Sequence, residues 1–102
     1  MSSAGSVDNF DHLNNNAVYG SLSVGTSSVE VKVGGSALSR RKLLIMQPKD
    51  NKIYWGFDSS VTTSTGTEMF KNQIIPMEVG PDISIWVIAD AGGKSVRIQE
   101  LA

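Results

Sequence analysis

The feature that most constrains this chain is a period of two in its apolar residues. In residues 83–89 the positions Ile83, Ile85, Val87 and Ala89 alternate with Ser84, Trp86 and Ile88. In residues 29–33, Val29, Val31 and Val33 alternate with Glu30 and Lys32. Successive side chains of an extended strand point to opposite faces, so this alternation describes strands with one buried face. No segment shows a convincing helical period. A chain patterned this way has to bury its strands against one another.

The remaining segments extend the pattern. Leu22 and Val24 start a strand after Tyr19, and residues 25–28 turn it toward Val29, which predicts a strand pair. Leu43-Leu44-Ile45-Met46 is apolar on both faces, which suits a central strand or one covered by a partner. Pro48-Lys49-Asp50-Asn51 is turn chemistry, and it predicts a hairpin onto residues 53–57. There Ile53, Trp55 and Phe57 alternate with Tyr54 and Gly56, so the aromatics are expected to supply much of the core. Residues 58–67 are rich in Ser, Thr and Gly and read as an exposed loop or polar edge. Pro76 places residues 74–79 at a sheet edge or bulge. Asp90-Ala91-Gly92-Gly93 predicts a second hairpin, onto residues 94–101, where Val96 and Ile98 face inward, Arg97 and Gln99 face outward, and the strand ends the sheet.

Turns spaced every 8 to 12 residues or so indicate one all-β domain, an antiparallel sandwich or a small barrel. A length of 102 residues fits a single core. Residues 1–18 are the exception. They contain few apolar anchors, and Asn14-Asn15-Asn16 favours turns and caps, so this stretch reads as an extended, flexible arm before a β domain over residues 19–102.

Charge and composition narrow the chemistry. A net charge of -1 provides no positive field for a phosphate backbone or an anionic membrane, so neither nucleic acid nor membrane is expected as a partner. The absence of cysteine removes disulfides, thiolate metal sites and thiol nucleophiles. The opening residues lack the basic and apolar regions of a secretory signal, which suits assembly in a cytoplasm. His12, with Asp8 and Asp11 beside it, falls short of the three or four fixed ligands of a metal site, and it is a poor base for a Ser or Thr nucleophile. Asp50, Asp58, Asp82 and Asp90 sit in turns, where aspartate is routine. Gly34-Gly35 and Gly92-Gly93 lack the spacing of a phosphate-binding loop. No catalytic residue, cofactor or metal is expected. Arg40-Arg41-Lys42 is the single basic cluster, able to meet an acidic partner surface or simply to lie in solvent. Tyr54, Trp55 and Trp86 could stack against a sugar, but inward packing is the simpler reading.

Several stretches carry a resemblance. Arg41-Lys42-Leu43-Leu44-Ile45-Met46-Gln47, Lys52-Ile53-Tyr54-Trp55-Gly56-Phe57, Val61-Thr62-Thr63-Ser64-Thr65-Gly66, the strand from Ile83 to the turn at Gly92-Gly93, and Val96-Arg97-Ile98-Gln99-Glu100-Leu101 resemble small virion structural proteins of tailed bacteriophages. The likeness spans about residues 19–102 and is a pattern of strands and turns. It implies a β-sandwich or barrel repeated on the head, neck or tail of a particle. On that basis the expected function is a non-enzymatic virion protein that forms homo-oligomers and docks on the capsid or the head-to-tail region, with itself and the major capsid protein or connector as partners. Val7, Phe10 and Leu13 in the arm, together with Arg40 and Arg41, are the expected docking residues. The alternative is a carbohydrate- or host-receptor-binding module.

Overall fold

The computed structural model describes residues 15–102. Among them are eight strands: β1 (Ala17–Val24), β2 (Val29–Glu30), β3 (Leu43–Pro48), β4 (Ile53–Gly56), β5 (Thr67–Met69), β6 (Ile75–Met77), β7 (Trp86–Ala89) and β8 (Lys94–Leu101). They form two four-stranded antiparallel sheets, ordered β1-β8-β3-β6 and β2-β7-β4-β5. The pairs β1 with β8, β2 with β7, β3 with β6 and β4 with β5 are those of one long hairpin. Rolling that hairpin over brings β8 against β3 and β7 against β4. This is the jelly-roll form of the β-sandwich, not a closed barrel.

Register decides which side chains meet between the sheets. In the first sheet Val18, Glu100, Leu44 and Met77 form one inward row, and Gly20, Ile98, Met46 and Ile75 form the next. From the second sheet come Met69, Ile53 and Ala89, then Trp55, Val87 and Val29. Val24, Val31, Leu44, Met46, Ile53, Met69, Ile85, Val87, Ala89, Val96 and Ile98 are buried together. Full burial of a Val, Leu, Ile or Met side chain contributes about 1.5–3 kcal/mol, and no aromatic ring is among the fully buried residues. The expectation that aromatics fill the core is therefore corrected. Trp55 packs at the rim, edge-on to Phe57 with ring centroids 5.2 Å apart, and Phe57 is itself exposed.

Strand positions largely match the sequence pattern, and Pro76 does lie on an edge strand. The connections do not match. Residues 25–28, 49–52 and 90–93 each carry the chain from one sheet to the other, so the expected pairing of β1 with β2 and the hairpins β3–β4 and β7–β8 do not form. Turn residues specify a reversal of direction, but not whether the returning strand pairs or crosses the sandwich. β8 is likewise central, between β1 and β3. The sheet also begins earlier than expected: Ala17 and Val18 pair with Leu101 and Glu100, so residues 17 and 18 belong to the β domain.

Candidate functional site

Two faces of the sandwich point outward, and they differ. On the second sheet Tyr54 lies between Glu68 and Ile88, and Trp86 lies beside Gly56 and Glu30. The loop of residues 57–66 folds back over this face. Its Val61 is buried, and a Cβ on Gly56 would stand 2.8 Å from a Val61 methyl. One on Gly66 would stand 2.8 Å from the Tyr54 Cβ. Only glycine permits approaches this close. Hydrogen bonds within the loop, from Ser60 to the Asp58 carboxylate and between the Thr62 and Thr65 hydroxyls, hold its shape. The Trp86 indole N–H donates to the Ser84 hydroxyl at 3.1 Å, and the ring is half-buried.

The outer face of the first sheet is open among the described residues. Register lays Tyr19, Gln99, Ile45 and Pro76 in one row across it, with Ala17, Leu101 and Leu43 in the row to one side and Ser21, Arg97 and Gln47 to the other. Arg97 is the single charge in these rows. Tyr19 is 83% exposed and Ile74, beside the sheet, is 66% exposed. Two shallow grooves flank Gln99. One, of about 190 Å³, is lined by Ile45, Gln47, Ile74 and Arg97; the other, of about 260 Å³, by Ala17, Val18, Tyr19 and Leu101. Such a surface offers apolar contact together with hydrogen bonding from Gln47, Gln99 and Arg97.

Of the expected docking residues, Val7, Phe10 and Leu13 lie outside the described residues, as do His12, Asp8 and Asp11. Arg40 is exposed and has a left-handed backbone, φ 60°. Arg41 is not a surface group at all. The turn closed by its N–H on the Leu38 carbonyl, at 3.0 Å, sends its side chain inward. There its Nη1 donates to Glu100 at 2.9 Å, while Nε and Nη2 donate to the carbonyls of Val79, Gly80 and Ile83. The Glu100 carboxylate also accepts the N–H groups of Val33 and Leu38, so both charges are hydrogen-bonded inside the fold. Arg41 pins loops to the first sheet; its expected role at a partner surface is corrected. The signal that sequence reasoning missed is parity, since Glu100 falls two residues after Ile98 on the inward face of β8.

Among the described residues two carboxyl groups are held below the ordinary carboxylate range. For Asp58 the leading cause is the Ser60 hydroxyl, followed by the Ser60 N–H, and for Asp90 it is the hydrogen bond from Lys94. Both lie in exposed turns away from the grooves. Among the described residues no three His, Asp or Glu side chains are grouped to hold a metal ion. No helix among them is long and apolar enough to cross a membrane.

Comparison with family models, with curated proteins and with solved structures gives no match.

Proposed function

We propose that this protein is a non-enzymatic structural subunit of a bacteriophage virion, assembling with copies of itself and with other particle proteins such as the major capsid protein or connector. The observation that carries this reading is the open face of the first sheet, where Tyr19, Leu43, Ile45, Ile74 and Leu101 surround Gln99 with one charge, Arg97, among them. A face of that character is suited to protein contact, where aromatic and apolar groups dominate the centre of an interface and charge is depleted. The jelly roll is compatible with this reading, since it serves in viral capsids, but it serves equally in lectins, so the fold does not decide function. The alternative of a sugar- or receptor-binding module has less support. Its best platform, Trp86 and Tyr54, is half-buried, with Val61 and Gly66 packed beside it.

Ile45→Glu and Ile74→Glu place charge on the open face without touching the core. In sedimentation experiments and in binding to particles lacking the protein, both are expected to weaken association at least tenfold while the melting temperature holds. A wild-type chain that stays monomeric at high micromolar concentration and is absent from intact particles by mass spectrometry overturns the reading.

A further inference from the structure

A sheet edge exposes a row of unpaired N–H and C=O groups, and proteins ordinarily protect it by keeping the strand short or by placing Pro or charge on it. Three of the four edges of this sandwich follow that rule. β2 has two residues, one of them Glu30. β5 has three, with Glu68 at its centre. β6 has three, with Pro76 at its centre. The fourth, β1, is an edge among the described residues, and it runs for eight residues, Ala-Val-Tyr-Gly-Ser-Leu-Ser-Val, with no charge, no proline and no irregularity in its register with β8.

Which groups of β1 are open follows from the ladder. Asn16 and Ala102 exchange both backbone hydrogen bonds, at 3.2 and 2.8 Å. Hydrogen-bonded pairs of an antiparallel ladder recur at every second residue, so Val18, Gly20, Leu22 and Val24 bond to β8. The other side of β8 agrees, since the Lys49 N–H donates to the Ser95 carbonyl at 2.9 Å, which gives the odd-numbered residues of β8 to β3. The N–H and C=O groups of Ala17, Tyr19, Ser21 and Ser23 therefore point away from the sheet. The Ala17 N–H is met by the Asn16 side chain at 2.9 Å. Outside the ladder with β8, no hydrogen bond among the described residues reaches the backbone of Tyr19, Ser21 or Ser23.

We propose that two copies of the chain join here, β1 against β1 in antiparallel register about Gly20, making one continuous eight-stranded sheet. The uncharged strand, with apolar residues on either side of Gly20 and no side chain at its centre, favours a second copy as the occupant. Around Gly20 the inward residues Val18 and Leu22 stand two positions to either side, and the outward residues run Ala17, Tyr19 and Ser21, Ser23. Antiparallel pairing centred on Gly20 sets Tyr19 opposite Ser21 of the second copy and Ala17 opposite Ser23, so the outward groups fall at hydrogen-bonding pairs. Val18 meets Leu22 of the second copy on the inward side, continuing the apolar layer. Gly20 meets its own copy at a non-hydrogen-bonded pair, where the backbones come closest and the lack of a side chain helps. A two-fold axis brings each residue near its own copy or its symmetric counterpart, and a strand without charge avoids the like-charge contacts that would oppose it. Two copies also place their open faces side by side, so the inference rests on the assembling role proposed above and specifies its first contact.

Ser21→Pro tests the edge directly. The Ser21 N–H points away from β8, so proline removes an edge donor and leaves the ladder intact, as Pro76 does on β6. The expected result is a wild-type dimer at micromolar concentration, a Ser21→Pro variant that associates at least a hundredfold more weakly, and circular dichroism spectra that match. Ser21→Lys keeps the N–H and serves if the proline variant folds poorly; it brings like charges together near the axis and should weaken the dimer in a way that added salt relieves. In hydrogen exchange the amides of Tyr19, Ser21 and Ser23 should gain protection as concentration rises. An oligomer that survives both substitutions, or those three amides exchanging equally fast at all concentrations, overturns the edge pairing and leaves assembly through another surface. A chain that is monomeric at every concentration yet is incorporated into particles overturns the pairing but not the structural role.

Discussion

Replacing Arg41 by Met tests whether the buried ion pair ties the fold together. The guanidinium makes four hydrogen bonds, to Glu100 and to the carbonyls of Val79, Gly80 and Ile83, and both partners of the ion pair are essentially without solvent contact. Methionine fills most of the volume but donates nothing, so three carbonyls lose a partner and a buried carboxylate loses its counter-charge. Breaking one side of a buried pair costs about 3–5 kcal/mol. A domain of this size has a total stability of roughly 5–15 kcal/mol, at ~0.05–0.15 kcal/mol per residue, so the variant should be marginal. Urea unfolding measures the change: with a slope of about 1.5–2 kcal/mol per M, the midpoint should fall by about 2 M at constant slope. Glu100→Leu alone should be comparably damaging because it leaves the arginine without its counter-charge. The double substitution should cost clearly less than the sum, with a coupling above about 1 kcal/mol. A single-variant cost below about 1 kcal/mol, or strict additivity, would refute the reasoning.

Trp55→Ala should cost about 2 kcal/mol in the same assay, below the roughly 3–5 kcal/mol of a fully buried tryptophan, because the ring sits at the rim against Phe57; a loss in the fully buried range would move it into the core. The Asp90 carboxyl should titrate below its ordinary value, followed by NMR, and Lys94→Ala should return it upward. Because its folded value is depressed, the interaction stabilises the fold above the unfolded carboxylate value and is lost as pH falls through the folded one; a midpoint unmoved by Lys94→Ala would show that the contact does not persist in solution.

How much of this was legible in the sequence depends on the range of the physics involved. Alternation is local, and it located β8, the edge proline and the part of β7 from Trp86 onward, because burial on one face is imposed residue by residue; Ile83, expected on the buried face, lies before β7 and is exposed. The roll of the hairpin is not local. Asp90-Ala91-Gly92-Gly93 ends β7 whether the next strand pairs with it or crosses to the other sheet, and the turn residues satisfy both. The crossing puts Val96 and Ile98 of one sheet into the same buried core as Ile53 and Val87 of the other, a gain that no short window contains.

The site divides in the same way. Arg40-Arg41-Lys42 looked like one basic cluster, yet the left-handed turn at Arg40 leaves that residue in solvent and buries its neighbour. Only the inward parity of Glu100, fixed by pairing with Val18 and Leu44, discloses the counter-charge that makes burial of Arg41 tolerable. The open face was half visible. Residues 43–46, apolar on both sides, call for cover on both, and the described residues supply cover on one: Leu44 and Met46 enter the core, while Leu43 and Ile45 remain half-exposed on the outer face. A strand that is central in its sheet and still apolar outward is not protecting an edge. Under the proposed assembling role a partner would lie over its outward residues, so substitutions at Ile45 test assembly while substitutions at the buried Leu44 report on folding.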